Sequence, residues 1–180
     1  MLRVTSFVHR FIKDTITTPS IVLDLTLGNG NDAYFCLQHH HRVIGLDIQT
    51  VAIERSELKC KDYPNHAFYH IDHALLDTVV HEKIDCVMMN TGYLPHGDIQ
   101  FSTSLPSSVL ALEKSIERMR ESAYLIVTLY RKQSGGLTEA IGIETYLRQN
   151  KKLRFDQSYT YLDDALAPIV LIFQKIDERT

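Results

Sequence analysis

Four residues near the start of the chain have the types and spacing to grip a polar, partly charged ligand: Asp24, Gly28, Gly30 and Asp47. Residues 21–23 form an apolar run that reads as a buried strand, and the two glycines read as the turn leaving it. Glycine suits a sharp reversal in which a ligand approaches the backbone with no Cβ in the way. A helix over 31–38 would then present its first N–H groups to that ligand. Asp47 ends a second strand-like run, 42–47, where a carboxylate can accept both hydroxyls of a ribose, and Gln49 just beyond could approach a base edge. A further strand, 84–89, runs into Asn90-Thr91-Gly92-Tyr93-Leu94-Pro95-His96-Gly97-Asp98. A polar loop with a glycine and an aromatic ring, leaving a central strand, is where an α/β protein keeps its reactive groups.

Gly28, Gly30 and Ala33 match the dinucleotide fingerprint G-x-G-x-x-G/A, with Asp47 after the next strand. Asp24, four residues before Gly28, opens another reading. D-x-x-x-G-x-G is the pattern of S-adenosylmethionine (SAM) methyltransferases, in which a carboxylate near the strand end faces the charged methionine part of the cofactor. A pyrophosphate is negative, so a carboxylate beside it works against NAD. The charges favour SAM; an NAD-dependent Rossmann oxidoreductase is the alternative, and an ordinary glycine turn is the plain structural reading. Asn90, Tyr93 and Pro95 together resemble the N-P-P-Y loops of methyltransferases that act on amines. An amine attacks a sulfonium methyl through a free lone pair and gains positive charge as it does so. An Asn carbonyl and a neighbouring backbone carbonyl can accept its N–H bonds, aim the lone pair and stabilise that charge. Tyr93 can stack on a flat base. No metal is required, because the leaving sulfur is already cationic and departs neutral.

The elements that must position these groups follow from periodicity. Val4, Phe7, Val8, Phe11 and Ile12 recur at helical spacing, so residues 1–18 are expected to form an amphipathic helix covering one sheet face. Helices are expected over 50–61, from Pro106 along the stripe Val109, Leu112, Ile116 and Met119, and, after a loop over 131–136, through Leu147. Further strands are expected at 67–70, 123–129, 153–161 and 168–174. Asp72 and His73 follow the third strand on the ligand side. The last two strands are joined without an obvious helix, which predicts a hairpin and an antiparallel last strand. The expected fold is α/β: a doubly wound, Rossmann-like class I methyltransferase sheet of seven strands, mostly parallel, in one domain over 1–180.

Composition bounds the partners. The 180 residues carry 44% hydrophobic and 23% charged side chains, the balance of an ordinary globular protein. No apolar stretch reaches the roughly 20 residues that span a bilayer, and the amino terminus lacks the apolar core of a signal peptide. The cytoplasm is therefore the expected compartment, with no membrane partner. Cys36, Cys60 and Cys86 are isolated and odd in number, which predicts buried thiols rather than disulfides or a zinc site. His39-His40-His41 reads as a solvated loop, since no third ligand type has suitable spacing. A net charge of −3 argues against a generic polyanion binder. It leaves room for RNA at local clusters: Arg3, Arg10 and Lys13; Lys59 and Lys61; Arg131 and Lys132; Lys151, Lys152 and Arg154. The oligomeric state is open, a homodimer included.

With these motifs placed, nearly the whole chain resembles a family of small SAM-dependent enzymes long labelled rRNA methylases. Its members are understood as tRNA methyltransferases that convert 5-aminomethyl-2-thiouridine to 5-methylaminomethyl-2-thiouridine at the wobble position. The carriers are Asp24-Leu25-Thr26-Leu27-Gly28-Asn29-Gly30-Asn31-Asp32 for D-A-T-x-G-N-G-x-D, and Asp47-Ile48-Gln49 for D-I-Q. The third carrier is Asn90 to Asp98, for N-L-G-Y-L-P-x-G-D. The resemblance implies that Asp24, Gly28, Asn29, Gly30 and Asp32 surround the methionine part of SAM. It places Asp47 on the ribose and Gln49 and His73 near the adenine. Asn90 and Tyr93 would serve catalysis, and Thr91, Gly92, Leu94, Pro95, Tyr130 and Arg131 would meet the tRNA substrate. Two loops depart from the pattern. Arg131-Lys132-Gln133-Ser134 replaces the histidine-bearing part of Y-x-G-H-x-x-G, and Leu162 to Pro168 replaces N-Q-x-N-x-P-P. They carry a second alternative, a SAM-binding homologue with an altered substrate or lost activity.

Overall fold

The computed structural model describes residues 3–92, 103–132, 135–161, 164 and 166–177. Helix α1 (Val4–Thr15) precedes the alternating units β1 (Ile21–Asp24), α2 (Asn31–Gln38), β2 (Arg42–Asp47), α3 (Thr50–Cys60) and β3 (His66–His70). A short 3-10 segment, His73–Thr78, leads to β4 (Ile84–Asn90), α4 (Leu105–Arg118), β5 (Met119–Leu129), α5 (Gly136–Gln149), β6 (Leu153–Thr160) and β7 (Ile169–Lys175). The seven strands form one sheet in the order β3-β2-β1-β4-β5-β7-β6. β1 to β5 run parallel, and β7 inserts antiparallel between β5 and β6. The expected hairpin thus forms, with its second strand placed inside the first.

The sheet is covered on both faces, and strand alternation decides which residue goes where. Val22, Val43, Cys86, Met88, Ile126, Val170 and Ile172 point to the side of α1 and α2, where Val8, Phe11, Ile12, Ala33 and Leu37 meet them. Leu23, Ile44, Leu46, Val87, Met89, Leu125 and Val127 point the other way, onto Leu112 and Ile116 of α4 and Ile143 and Leu147 of α5. The expected covering role of the first helix is met by Val8, Phe11 and Ile12, while Phe7 stacks on Tyr159 of β6 at 4.2 Å. All three cysteines are buried and free. Burial pushes the thiol of Cys36 well up, that of Cys60 to about 11 and that of Cys86 to about 12, so none is poised as a thiolate at neutral pH.

The largest boundary difference from the sequence expectation is at β5. β5 begins at Met119, before the expected 123, because Met119 pairs with Ile84 while Arg120 bridges Asp85 at 3.0 Å. The polar run Arg120-Glu121-Ser122 hides this extension, and the ladder is irregular between Ile84 and Cys86. The crossover from β3 to β4 holds only the 3-10 segment where the other parallel crossovers carry α-helices. Strand order reverses at β1 and β4, so the crevice at their carboxyl ends is the natural ligand site of such a sheet.

Candidate active site at the carboxyl ends of β1, β2 and β4

Asp24 ends β1 and is 1% exposed. Its Oδ1 accepts the N–H of Thr26 at 3.1 Å, whereas Oδ2 has no hydrogen-bond partner among the described residues. Burial, then the charge of Asp32, raise its pKa to about 8; the Thr26 N–H opposes them and Asp47 adds to them. A carboxylate so placed needs either a proton or a cation.

The following turn is stitched to α3. Ser56 donates to the carbonyl of Gly28 at 3.3 Å, Arg55 to the Asn29 side chain at 3.1 Å, and Lys59 to the Asn31 side chain. Gly28 and Gly30 have φ values of 56° and 67°, in the left-handed region. At Gly30 a Cβ would also lie 2.6 Å from Ser56 Oγ, so the crowding comes from α3 and not only from a ligand. Gly30→Ala is expected to destabilise the fold by about 1–2 kcal/mol from backbone conformation alone, with the Ser56 clash added. Denaturant melts of Gly30→Ala, Ser56→Gly and the double variant check this: adding Gly30→Ala should cost less in the Ser56→Gly background, where the contact with the Ser56 side chain is gone, than in the wild type, with the φ cost remaining in both.

Asp47 spans the gap between two ligand-facing segments. Its Oδ2 accepts the Gly28 N–H at 2.8 Å and its Oδ1 accepts the Gln49 N–H at 2.9 Å. Besides any ribose, it fastens the glycine turn to the start of α3. Asp47→Ala should therefore weaken nucleoside binding by about 1–3 kcal/mol and also lower Tm, a pairing that calorimetry and thermal melts would resolve. Gln49 is buried and precedes α3, and next to it Ile48 is 45% exposed at the strand end. Ser107 donates its hydroxyl hydrogen to Asp72 at 3.0 Å, so its oxygen accepts from His73 Nε2, also at 3.0 Å. Burial lowers the pKa of the His73 ring, against the pull of Asp72 and the Leu25 carbonyl.

Asn90 ends β4 beside Asp24: the registers pair Asp24 with Met88, and Asn90 donates its backbone N–H to Thr26 Oγ1 at 2.7 Å. Its side-chain Nδ2 donates to Asp32 Oδ2 at 3.0 Å. A carboxylate only accepts, so this contact turns the amide nitrogen toward Asp32 and leaves the carbonyl as an acceptor with no partner among the described residues. Asp32 sits in the first turn of α2, and its other oxygen faces His9 Nε2 of α1 at 2.7 Å. Tyr130, after β5, lies near enough for burial and then the Asp32 charge to raise its phenol pKa.

Other expected contacts are spent inside the protein. Thr91 is buried; its hydroxyl faces the Thr128 carbonyl at 3.5 Å and accepts the Tyr130 N–H at 3.1 Å, so the side chain joins the ends of β4 and β5. Gly92 exchanges two hydrogen bonds with Thr103, and buried Glu139 of α5 accepts from both Thr103 and Ser108 at 2.9 Å. The Arg131 guanidinium donates to the Ala167 carbonyl, and Lys132 pairs with Asp164 at 2.8 Å. The two loops that depart from the family pattern thus lie against each other. Tyr93, Leu94 and Pro95 lie outside the described residues, as do Gln133, Ser134, Leu162, Asp163 and Ala165. Of the basic clusters, Lys59, Arg131, Lys132 and Lys152 each have intramolecular acceptors. No group of three potential metal ligands occurs among the described residues.

Sequence reasoning singled out neither His9, Thr26, Ser107 nor Glu139. Thr26 stood within the D-x-T motif and could have been found there. The others are polar residues on helices, indistinguishable by spacing from solvated positions.

A sheet of this order with this crevice defines the class I methyltransferase fold, and solved structures agree. The putative rRNA-methylase from Clostridium thermocellum superposes with a TM-score of 0.89 at 28% identity, over 98% of this chain and 99% of that one. SMU.1697c of Streptococcus mutans, a putative methyltransferase in complex with SAH, gives 0.85 at 24% identity over 98% and 99%. The family described as Putative rRNA methylase matches residues 43–175, and the chain belongs to it. Among curated proteins, the chloroplastic tRNA (mnm(5)s(2)U34)-methyltransferase of Arabidopsis thaliana is 24% identical over 160 residues, 80% of this chain. The match spans only 58% of that relative's length. Ribosomal RNA small subunit methyltransferase H of Clostridium botulinum (strain Okra) is 31% identical over 84 residues, 43% of this chain and 27% of its own length. The methyl donor of the class I fold is SAM, and the residues present fit it. The unpartnered buried Oδ2 of Asp24 suits a cation, and the Asp47 carboxylate stands at the strand end where a ribose would lie. No helix among the described residues is long and apolar enough to cross a membrane.

Proposed function

We propose that this chain is a SAM-dependent N-methyltransferase acting on the aminomethyl group of 5-aminomethyl-2-thiouridine at the tRNA wobble position. The observation that carries the reading is the amide of Asn90, whose nitrogen is committed to Asp32 and whose carbonyl is left to accept. SAM, when bound, supplies an electrophilic methyl group on a sulfonium that leaves as a neutral thioether. Asp24 answers the positive charge of its methionine part, and Asp47 accepts from its ribose. Asn90 Oδ1 accepts an N–H of the neutral primary amine, which aims the lone pair at the methyl carbon. As the N–C bond forms, nitrogen becomes cationic and the same carbonyl stabilises it; the proton of the resulting secondary ammonium then passes to solvent. Tyr93, three residues on in the sequence, would stack on the base.

Two similarities support tRNA over rRNA: the tRNA-modifying relative matches 80% of this chain, the rRNA-modifying one 43%. Nucleoside mass spectrometry of tRNA and rRNA from cells with and without the gene tests the reading. Loss of the gene should make 5-aminomethyl-2-thiouridine accumulate and its methylated product disappear. Loss of a methylated rRNA nucleoside instead, with tRNA unchanged, would replace this substrate. Purified protein that binds SAM but methylates neither RNA would mark a homologue with lost activity.

A further inference from the structure

α1 reaches into the candidate active site through one side chain. His9 Nε2 lies 2.7 Å from Asp32 Oδ1, and its ring is stacked on Phe35 at 4.0 Å with 8° between planes. Phe35 lies one turn beyond Asp32 on α2, so the stack and the hydrogen bond fix the imidazole from the same helix face. The contact is largely sheltered, with side-chain exposures of 22% for His9 and 18% for Asp32. A carboxylate oxygen accepts and cannot donate, so Nε2 must carry the hydrogen. The other Asp32 oxygen takes Nδ2 of Asn90 from β4 at 3.0 Å. One carboxylate is thus held between donors from α1 and β4.

We propose that His9 is a positioning residue: it anchors Asp32, and Asp32 in turn fixes which way the Asn90 amide faces. The inference rests on the reading in which Asn90 Oδ1 accepts from the attacking amine. The amide torsion of Asn has two broad wells related by a half-turn, so an Asn without a directing partner presents either oxygen or nitrogen to the same spot. A nitrogen turned toward the incoming amine offers N–H groups where an acceptor is needed. Asp32 can prevent that only while its own rotamer is held. At the first turn of α2 the alternative is for the carboxylate to swing toward unpaired backbone N–H groups. The imidazole of His9 holds it outward.

Two variants separate this role from general packing. His9→Phe keeps a ring to stack on Phe35 but removes the donor; His9→Gln restores a side-chain N–H donor. The first readout is independent of methyl transfer: the Asn90 side-chain NH2 pair in 15N-edited NMR spectra, assigned by its absence in Asn90→Ala. His9→Phe should shift and sharply reduce the separation of the two proton signals, and His9→Gln should restore much of it. An Asn90 pair unchanged in His9→Phe would overturn the proposal. In the wild-type protein the 15N shift of His9 Nε2 should be that of a protonated nitrogen; a bare Nε2 would overturn it without any variant. On tRNA bearing the aminomethyl group and at saturating SAM, His9→Phe should lower kcat roughly 10- to 100-fold, as for a misaligned reacting group. In an Asn90→Ala background the same change should cost almost nothing further. Fully additive losses would show that His9 acts elsewhere. If the Asn90 signals respond as expected while wild-type protein leaves the aminomethyl tRNA unmethylated, the relay stands and the substrate reading falls.

Discussion

Asn90→Ala is expected to lower kcat by about 10²-fold or more, the loss that follows removal of one preorganised polar group, with SAM affinity nearly normal. The cofactor contacts assigned to Asp24 and Asp47 do not pass through the Asn90 side chain, so binding and chemistry should separate. Single-turnover rates on aminomethyl tRNA, set beside calorimetric titration with SAM, measure the two independently. A wild-type rate in this variant would remove Asn90 from the mechanism. Asn90→Asp is the more severe test. From sequence, a carboxylate there would still accept the amine's hydrogen bond and move the pH optimum upward by favouring the ammonium form. The structure adds a second effect, because the new carboxylate would stand where Nδ2 now lies 3.0 Å from Asp32. Two carboxylates at that distance cannot both ionise without a large penalty. One of them would hold a proton, and Asn90→Asp should be less stable than Asn90→Ala at neutral pH.

SAM affinity should depend steeply on pH through Asp24. Its pKa is raised by burial, then by Asp32, from 3.8 to about 8 in the protein without ligand, so it carries a proton at neutral pH. A cation placed against Oδ2 favours the ionised form, and binding then releases that proton. Affinity is expected to rise by about tenfold per pH unit between roughly pH 6 and 7.5, a range in which an α-amino group is still mostly protonated. Titration calorimetry in buffers of different ionisation enthalpy should count close to one proton released at the acid end of that range. Asp24→Asn should bind SAM with little pH dependence. A wild-type affinity that is flat across the window would mean that Asp24 does not face the cofactor's charge. Stability of the unliganded protein carries the opposite sign. Between 3.8 and about 8 the folded state binds more protons than the unfolded one, so this residue's contribution is full below the lower value. It falls by up to roughly 1.4 kcal/mol per pH unit as pH rises through the window.

The elements that carry these residues were legible because strand alternation, helical stripes and glycine turns are written in neighbouring residues. Residues 31–38 and 42–47 have in the structure the bounds their spacing implied. The antiparallel last strand followed from a connection too poor in helical pattern to cross the sheet. What failed were exposed polar stretches whose conformation is set by a distant partner. Arg120 to Ser122 look like a loop, yet they extend β5 because Asp85 lies opposite Arg120. The tie between the loops after β5 and β6 was equally invisible, since Arg131 and Ala167 are 36 residues apart.

By itself the sequence determined the strand-end placement of Asp24, Asp47 and Asn90, because each follows an apolar run and precedes turn chemistry that is local to it. It also determined the glycine positions of the turn, since only a few residues tolerate a left-handed backbone. The tertiary structure decided what each side chain spends its hydrogen bonds on. Thr91 and Arg131 went to backbone groups, Asp47 to the N–H groups of Gln49 beside it and of Gly28 in the turn after β1, and His9 to an aspartate 23 residues away. Backbone form depends on contiguous residues, whereas a polar side chain takes whichever partner long-range packing brings within about 3 Å.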